Sequence, residues 1–116
     1  MPPREEFFKR EMVEELRRVE ALMRKEPSVE KKIYYFSGAY GITNRTYRYV
    51  FSREVLIADI ILQNTYNMLK ERLQLIKSGD RNVTPEEVIF YKICDGLRDL
   101  ANSFESEKDG VKMSYV

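Results

Sequence analysis

Apolar positions recur with a helical period over most of the chain. Phe8, Met12, Leu16, Val19 and Met23 are spaced by three or four residues and predict a helix from about Pro3 to Lys25. Pro27 stops it, because the residue before a proline is pushed out of the α region. From Ser52 to Lys77 the pattern is denser: Val55 to Leu62 is apolar at every position except Asp59. A main seam runs through Val55, Ala58, Leu62, Tyr66, Leu69, Leu73 and Ile76, and a second stripe through Ile57, Ile60, Ile61 and Met68, with the polar ladder Asp59, Gln63 and Asn67 between them. A helix that is apolar on more than one face must be covered on more than one side. The segment 52–77 is therefore expected to be the central helix, with Ser52 as N-cap and Gly79 as its left-handed terminator.

A last helix is announced by Thr84-Pro85-Glu86-Glu87, with Thr84 as N-cap, Pro85 in the first helical position and Glu87 closing a capping box. Ile89, Ile93, Leu97, Leu100 and Phe104 form its expected buried stripe. Gly96 costs about 1 kcal/mol in a helix interior, which points to the close approach of another backbone. The final Val111 to Val116 alternates with period two and reads as a tail or an added strand.

Between the first two long helices lies a segment of different character. Val29, Ile33, Phe36 and Tyr40 would line one face of a helix capped by Ser28. The β-branched and aromatic residues from Ile33 onward, with Thr43-Asn44-Arg45 as a turn before Thr46 to Phe51, favour a β-hairpin over about 33–51. In that hairpin Tyr47, Tyr49 and Phe51 would share one side. The expected fold is α+β and predominantly helical: three long helices, with the helix at 52–77 central, and a Tyr-rich hairpin; the alternative is an all-α bundle. At 116 residues the chain reads as one domain over 1–108 with a C-terminal tail at 109–116.

Composition narrows the chemistry. The chain has no histidine, which removes the commonest general base and metal ligand. Asp59, with Asp95 and Asp99 on the last helix, could in principle gather as a carboxylate cation site, but neither a metal nor another cofactor is expected. Cys94 is a lone thiol, expected to be buried and inert. The N-terminus MPPREEFFKREM carries acids and bases where an export signal needs a basic cap and an apolar run, so a cytoplasmic location without membrane insertion is expected. Pairs such as Glu6 with Arg10, Glu14 with Arg18 and Glu20 with Arg24 fall at i to i+4 on the first helix.

The net charge of +1 hides an imbalance: Lys31, Lys32, Arg45, Arg48 and Arg53 lie in a stretch with no acid that also holds seven of the fourteen aromatics. Bases interleaved with rings are the pattern of a single-stranded nucleic-acid platform, here Arg45, Tyr47, Arg48, Tyr49 and Arg53. Competing with this, tyrosines also stabilise a fold by packing. The general run from Ile33 to Leu73 resembles small uncharacterised proteins of heat- and acid-loving archaea, a resemblance that implies no activity and no site residues. The expected function is that of a non-enzymatic structural or interaction protein. It would self-associate, as a homodimer in the first instance, through the uncovered stripe Ile57, Ile60, Ile61 and Met68. Single-stranded RNA or DNA binding is the alternative.

Overall fold

The computed structural model describes residues 3–79 and 87–110. These form α1 (Pro3–Lys25), α2 (Val29–Tyr49), α3 (Arg53–Lys77) and α4 (Glu87–Gly110). No strand occurs among the described residues, so the protein is all-α there and the hairpin expected at 33–51 is a helix. Thr84, Pro85 and Glu86 of the expected cap, and the tail 111–116, lie outside the described residues.

Three-residue links, Glu26-Pro27-Ser28 and Val50-Phe51-Ser52, turn the chain back on itself, so α1, α2 and α3 run antiparallel in succession. The Ser28 hydroxyl accepts from the Lys31 amide at 3.3 Å and the Ser52 hydroxyl from the Val55 amide at 3.1 Å, which satisfies an orphan donor at the start of α2 and of α3. Gly79, at φ 82°, ends α3 in the left-handed conformation.

Tertiary packing explains why α2 overrides its β-type composition. Ile33, Phe36, Ala39, Thr43 and Thr46 are all buried, and their three- and four-residue spacing is helical. The segment lies between α1 and α3 and is gripped from both sides. Its β-branched threonines are accommodated because Thr43 Oγ1 donates to the Ala39 carbonyl at 2.9 Å and Thr46 Oγ1 to that of Ile42 at 2.7 Å, leaving no buried hydroxyl unpaired. Gly38 lets α1 approach: a Cβ there would sit 3.3 Å from Glu15 Oε2 and 3.7 Å from a Val19 methyl.

The packing order across the molecule is α3, α2, α1, α4. The expectation of a central 52–77 helix is thereby overturned. α3 is an outer helix, packed on α2, and the inner pair is α1 and α2. One core joins Met12, Leu16, Val19 and Met23 of α1 to Ile33 and Phe36 of α2, Val55, Leu62 and Leu69 of α3, and Phe90, Cys94, Leu97, Ala101 and Phe104 of α4. On α4 the stripe turned to α1 is thus rotated from the expected one, with Ile89, Ile93 and Leu100 only half-buried. The described chain measures 53 × 24 × 20 Å with a radius of gyration of 15.6 Å, against about 13 Å for a compact domain of this size. That elongation leaves an outer helix with little to cover its far side.

Ion pairs clamp α4 to α1. Arg24 bridges Glu20 on its own helix, at 2.8 Å, and Asp95 on α4, at 2.7 Å, while Arg17 reaches Asn102 and Glu105. Arg18 pairs with Glu15 at i−3 and not with Glu14.

Candidate functional site

The aromatic and basic residues singled out in the sequence gather at one end of the molecule, where α1 begins and α2 gives way to α3. Phe8 and Tyr49 stack face to face, with centroids 4.3 Å apart and planes 6° from parallel. Arg4, one turn before Phe8, lies over the Tyr49 ring at 6.0 Å; Arg45, one turn before Tyr49, lies over the Phe8 ring at 5.7 Å. Because the helices are antiparallel, this pairing is crosswise: each ring meets a ring and a guanidinium of the other helix, so Tyr49 and Arg45 clip α2 to α1. Tyr47 stands on another side of α2 and makes an edge contact with Phe51, centroids 5.8 Å apart. Phe51 is 79% exposed, between exposed Arg48 and Arg53. The helix therefore separates residues that a strand would have put on one side.

The second region lies along α3. Ile57, Ile60, Ile61 and Met68 are 42–51% exposed, as large apolar side chains on one outer face. Within residues 55–69 the single charged residue is Asp59. It is buried toward α2, where both carboxylate oxygens accept from Asn44 Nδ2 at 3.3 Å. The exposed positions of that stretch are thus all neutral, in a chain of which 34% is charged. Arg53 and Glu54 bound the neutral stretch at one end, Lys70 and Glu71 at the other.

Beside this face, α3 and α4 are separated by an open groove of about 490 Å³. Phe36 of α2 forms its floor, Ile61, Leu62 and Thr65 line one wall, and Ile93, Leu97 and Leu100 the other, with Lys92, Asp99 and Ser103 also on the α4 side. Gly96 also stands on the α4 wall, and a Cβ built there would meet nothing within 4 Å among the described residues. Among the described residues, then, no backbone makes the close approach expected at Gly96. The groove was not foreseen from the sequence: of the stripe that the helical period marks as buried on α4, Leu97 and Phe104 are buried, while Ile93 and Leu100 are half-buried in the groove wall.

The remaining candidate groups are engaged in the fold. Asp59 takes its amide from α2, Asp95 is ion-paired across to Arg24, and Asp99 lies beside Arg98. No group of three or more metal-ligating side chains converges among the described residues. The hydrogen bond from Arg24 holds the Asp95 carboxyl below the usual range, and that from Arg18 does the same for Glu15. Burial pushes the Cys94 thiol up, away from the reactive thiolate. No helix among the described residues is long and apolar enough to cross a membrane. No protein-family model, curated protein or solved structure matches the chain.

Proposed function

We propose that this is a non-enzymatic interaction protein that works by self-association, with the outer face of α3 and the adjoining groove as its contact surface. The observation that carries this reading is the row Ile57, Ile60, Ile61 and Met68, half-exposed on a stretch with no exposed charge. Depletion of charge distinguishes the centre of a protein interface from ordinary surface more sharply than apolar content does.

Burying the exposed half of four such side chains on each of two copies supplies roughly 6–12 kcal/mol. This is comparable to the cost of holding two molecules together. Association is therefore expected to depend on concentration. Light scattering across the micromolar range should give a mass rising from 13.8 kDa toward twice that value. Ile61→Glu should hold it at the lower value. A wild-type protein that stays monomeric throughout would sink the proposal.

A second reading is single-stranded nucleic-acid binding at the aromatic end, favoured by Phe51, which stands 79% exposed between Arg48 and Arg53. On this reading Arg48, Phe51 and Arg53 are the contact group and the Tyr49 stack is its support. Titration of oligonucleotides at low salt tests it: affinity should fall with Phe51→Ala and with added salt. No binding at low salt would end it.

A further inference from the structure

The buried face of α2 is made by Ile33, Phe36, Ala39, Thr43 and Thr46, which leaves the opposite side of the helix turned outward. Along that side Lys31, Tyr34, Gly38, Gly41, Arg45 and Arg48 recur at steps of three, four, three, four and three, so they form one stripe. All are exposed except Gly38, which is half-buried against α1. The charges of the stripe have one sign, because no acid occurs from Lys31 to Arg53. Glu30, at its start, is paired with Lys77 at 2.9 Å, and Glu15, beside Gly38, with Arg18 at 2.7 Å. Glu54 lies past the other end, in the first turn of α3.

Exposed rings stand at both ends. Tyr34 is 73% exposed near Lys31, and Phe51, 79% exposed, follows Arg48 and precedes Arg53. The middle is bare, since a Cβ at Gly41 would meet nothing within 4 Å among the described residues. A partner suited to this face is negative, extended and able to offer flat apolar groups at both ends. A single nucleic-acid strand has these properties: its phosphates meet Lys or Arg and its bases stack on rings. A duplex keeps its bases inside and has nothing to offer Tyr34 and Phe51.

We infer that a single strand lies lengthwise on the outer face of α2, from Phe51 and Arg53 at one end to Tyr34 and Lys31 at the other. This path rests on the nucleic-acid reading of Arg48, Phe51 and Arg53 and carries the contact along the whole helix. Arg45 belongs to it as well, for its guanidinium keeps its charge beside the Phe8 ring. From Lys31 to Arg48 the helix rises about 26 Å. A stacked strand advances about 3.4 Å per nucleotide, so the footprint is about eight nucleotides. Phosphate contacts by Lys31, Arg45, Arg48 and Arg53 give a slope of log affinity on log salt of about −3, against about −1.5 for Arg48 and Arg53 alone.

Fluorescence anisotropy with oligothymidylates of about three to about twelve nucleotides, at low salt, tests the path. Affinity should rise with length, level off near about eight nucleotides and show the steeper salt slope. Gly41→Glu puts an acid into the bare middle, where there is room for it. It should weaken binding of the long oligonucleotides at least about threefold and leave the shortest unaffected. Tyr34→Ala should weaken the long ones at least about fivefold through the lost ring. Both positions are exposed, so the helical circular dichroism should be unchanged. Affinity that levels off at about three nucleotides, or that ignores either substitution, would overturn the path and leave binding at Phe51 standing. Oligothymidylates that bind at no length, whether or not anionic lipid vesicles bind in their place, would overturn the path together with the reading beneath it.

Discussion

Two glycines in the middle of helices mark the two kinds of surface in this molecule. Gly38 of α2 faces α1, and a Cβ there would press on Glu15 and approach Val19. Gly96 of α4 faces the groove, where a Cβ would meet nothing within 4 Å among the described residues. Around Gly38 the apolar seams of both helices are buried, with Met12, Leu16, Val19, Ile33 and Phe36 all inside, and the far end is clipped by Arg4, Tyr49, Phe8 and Arg45. Around Gly96 the apolar walls also carry Thr65, Lys92, Asp99 and Ser103, and no described residue covers them. The same residue type, at the same intrinsic cost to its helix, thus answers to a packed neighbour in one place and to open space in the other. Apolar patterning reports that a surface seeks cover; whether the chain itself provides it is a matter of how the helices are arranged.

This contrast can be broken or sharpened by substitution. The largest effect is expected at Phe36, which is fully buried and serves both regions, as core toward α1 and as floor of the groove. Phe36→Ala should cost about 3–5 kcal/mol in urea unfolding; a loss below about 1 kcal/mol would mean that α2 is not held between its neighbours as described. Next come the glycines themselves, compared at a concentration low enough to keep the chain monomeric. Gly96→Ala should stabilise the monomer by up to about 1 kcal/mol through helix propensity alone. Gly38→Ala should gain less, because Glu15 must give way. Equal gains would erase the distinction drawn between the two surfaces.

Ile61→Glu should change monomer stability by less than about 1 kcal/mol, since the side chain is half-exposed and a glutamate keeps its aliphatic stem. A larger loss would show that the groove wall belongs to the monomer core. The smallest effect is in acid. Arg18 and Arg24 hold Glu15 and Asp95 below the usual carboxylate range, so these groups stabilise the fold above their ordinary values. That contribution is lost as pH falls through the folded-state values, below about pH 4. Because both pairs are partly exposed to solvent the loss is modest. Stability of the double variant Glu15→Gln with Asp95→Asn should fall less steeply from pH 4 to pH 2 than that of wild type.

Local signals in the sequence located α1 and α3 to within a residue. The four-and-three spacing from Phe8 to Met23, the breaking Pro27, the Ser52 cap and the Gly79 stop are all properties of neighbours along the chain, and such properties need no tertiary context. The exposed row on α3 was legible for the same reason: more apolar positions than one seam can use. The expectation for 33–51 failed because β-branched and aromatic residues express a preference worth only a fraction of a kcal/mol each. That preference yields when two flanking helices bury Ile33, Phe36, Ala39, Thr43 and Thr46 on a helical period and the threonine hydroxyls find carbonyls one turn back.

The sequence by itself therefore determined that the chain has strongly amphipathic helices, where three of them lie, and that one of them has apolar surface to spare. Only the tertiary structure decided which helices stand inside. α2 took the inner place because its buried face is served from both sides, and α3, the most apolar candidate, went to the edge. The groove between α3 and α4, with Phe36 beneath it and Gly96 in its wall, has no counterpart in any local pattern. It is created by residues from three helices, and their meeting depends on long-range packing.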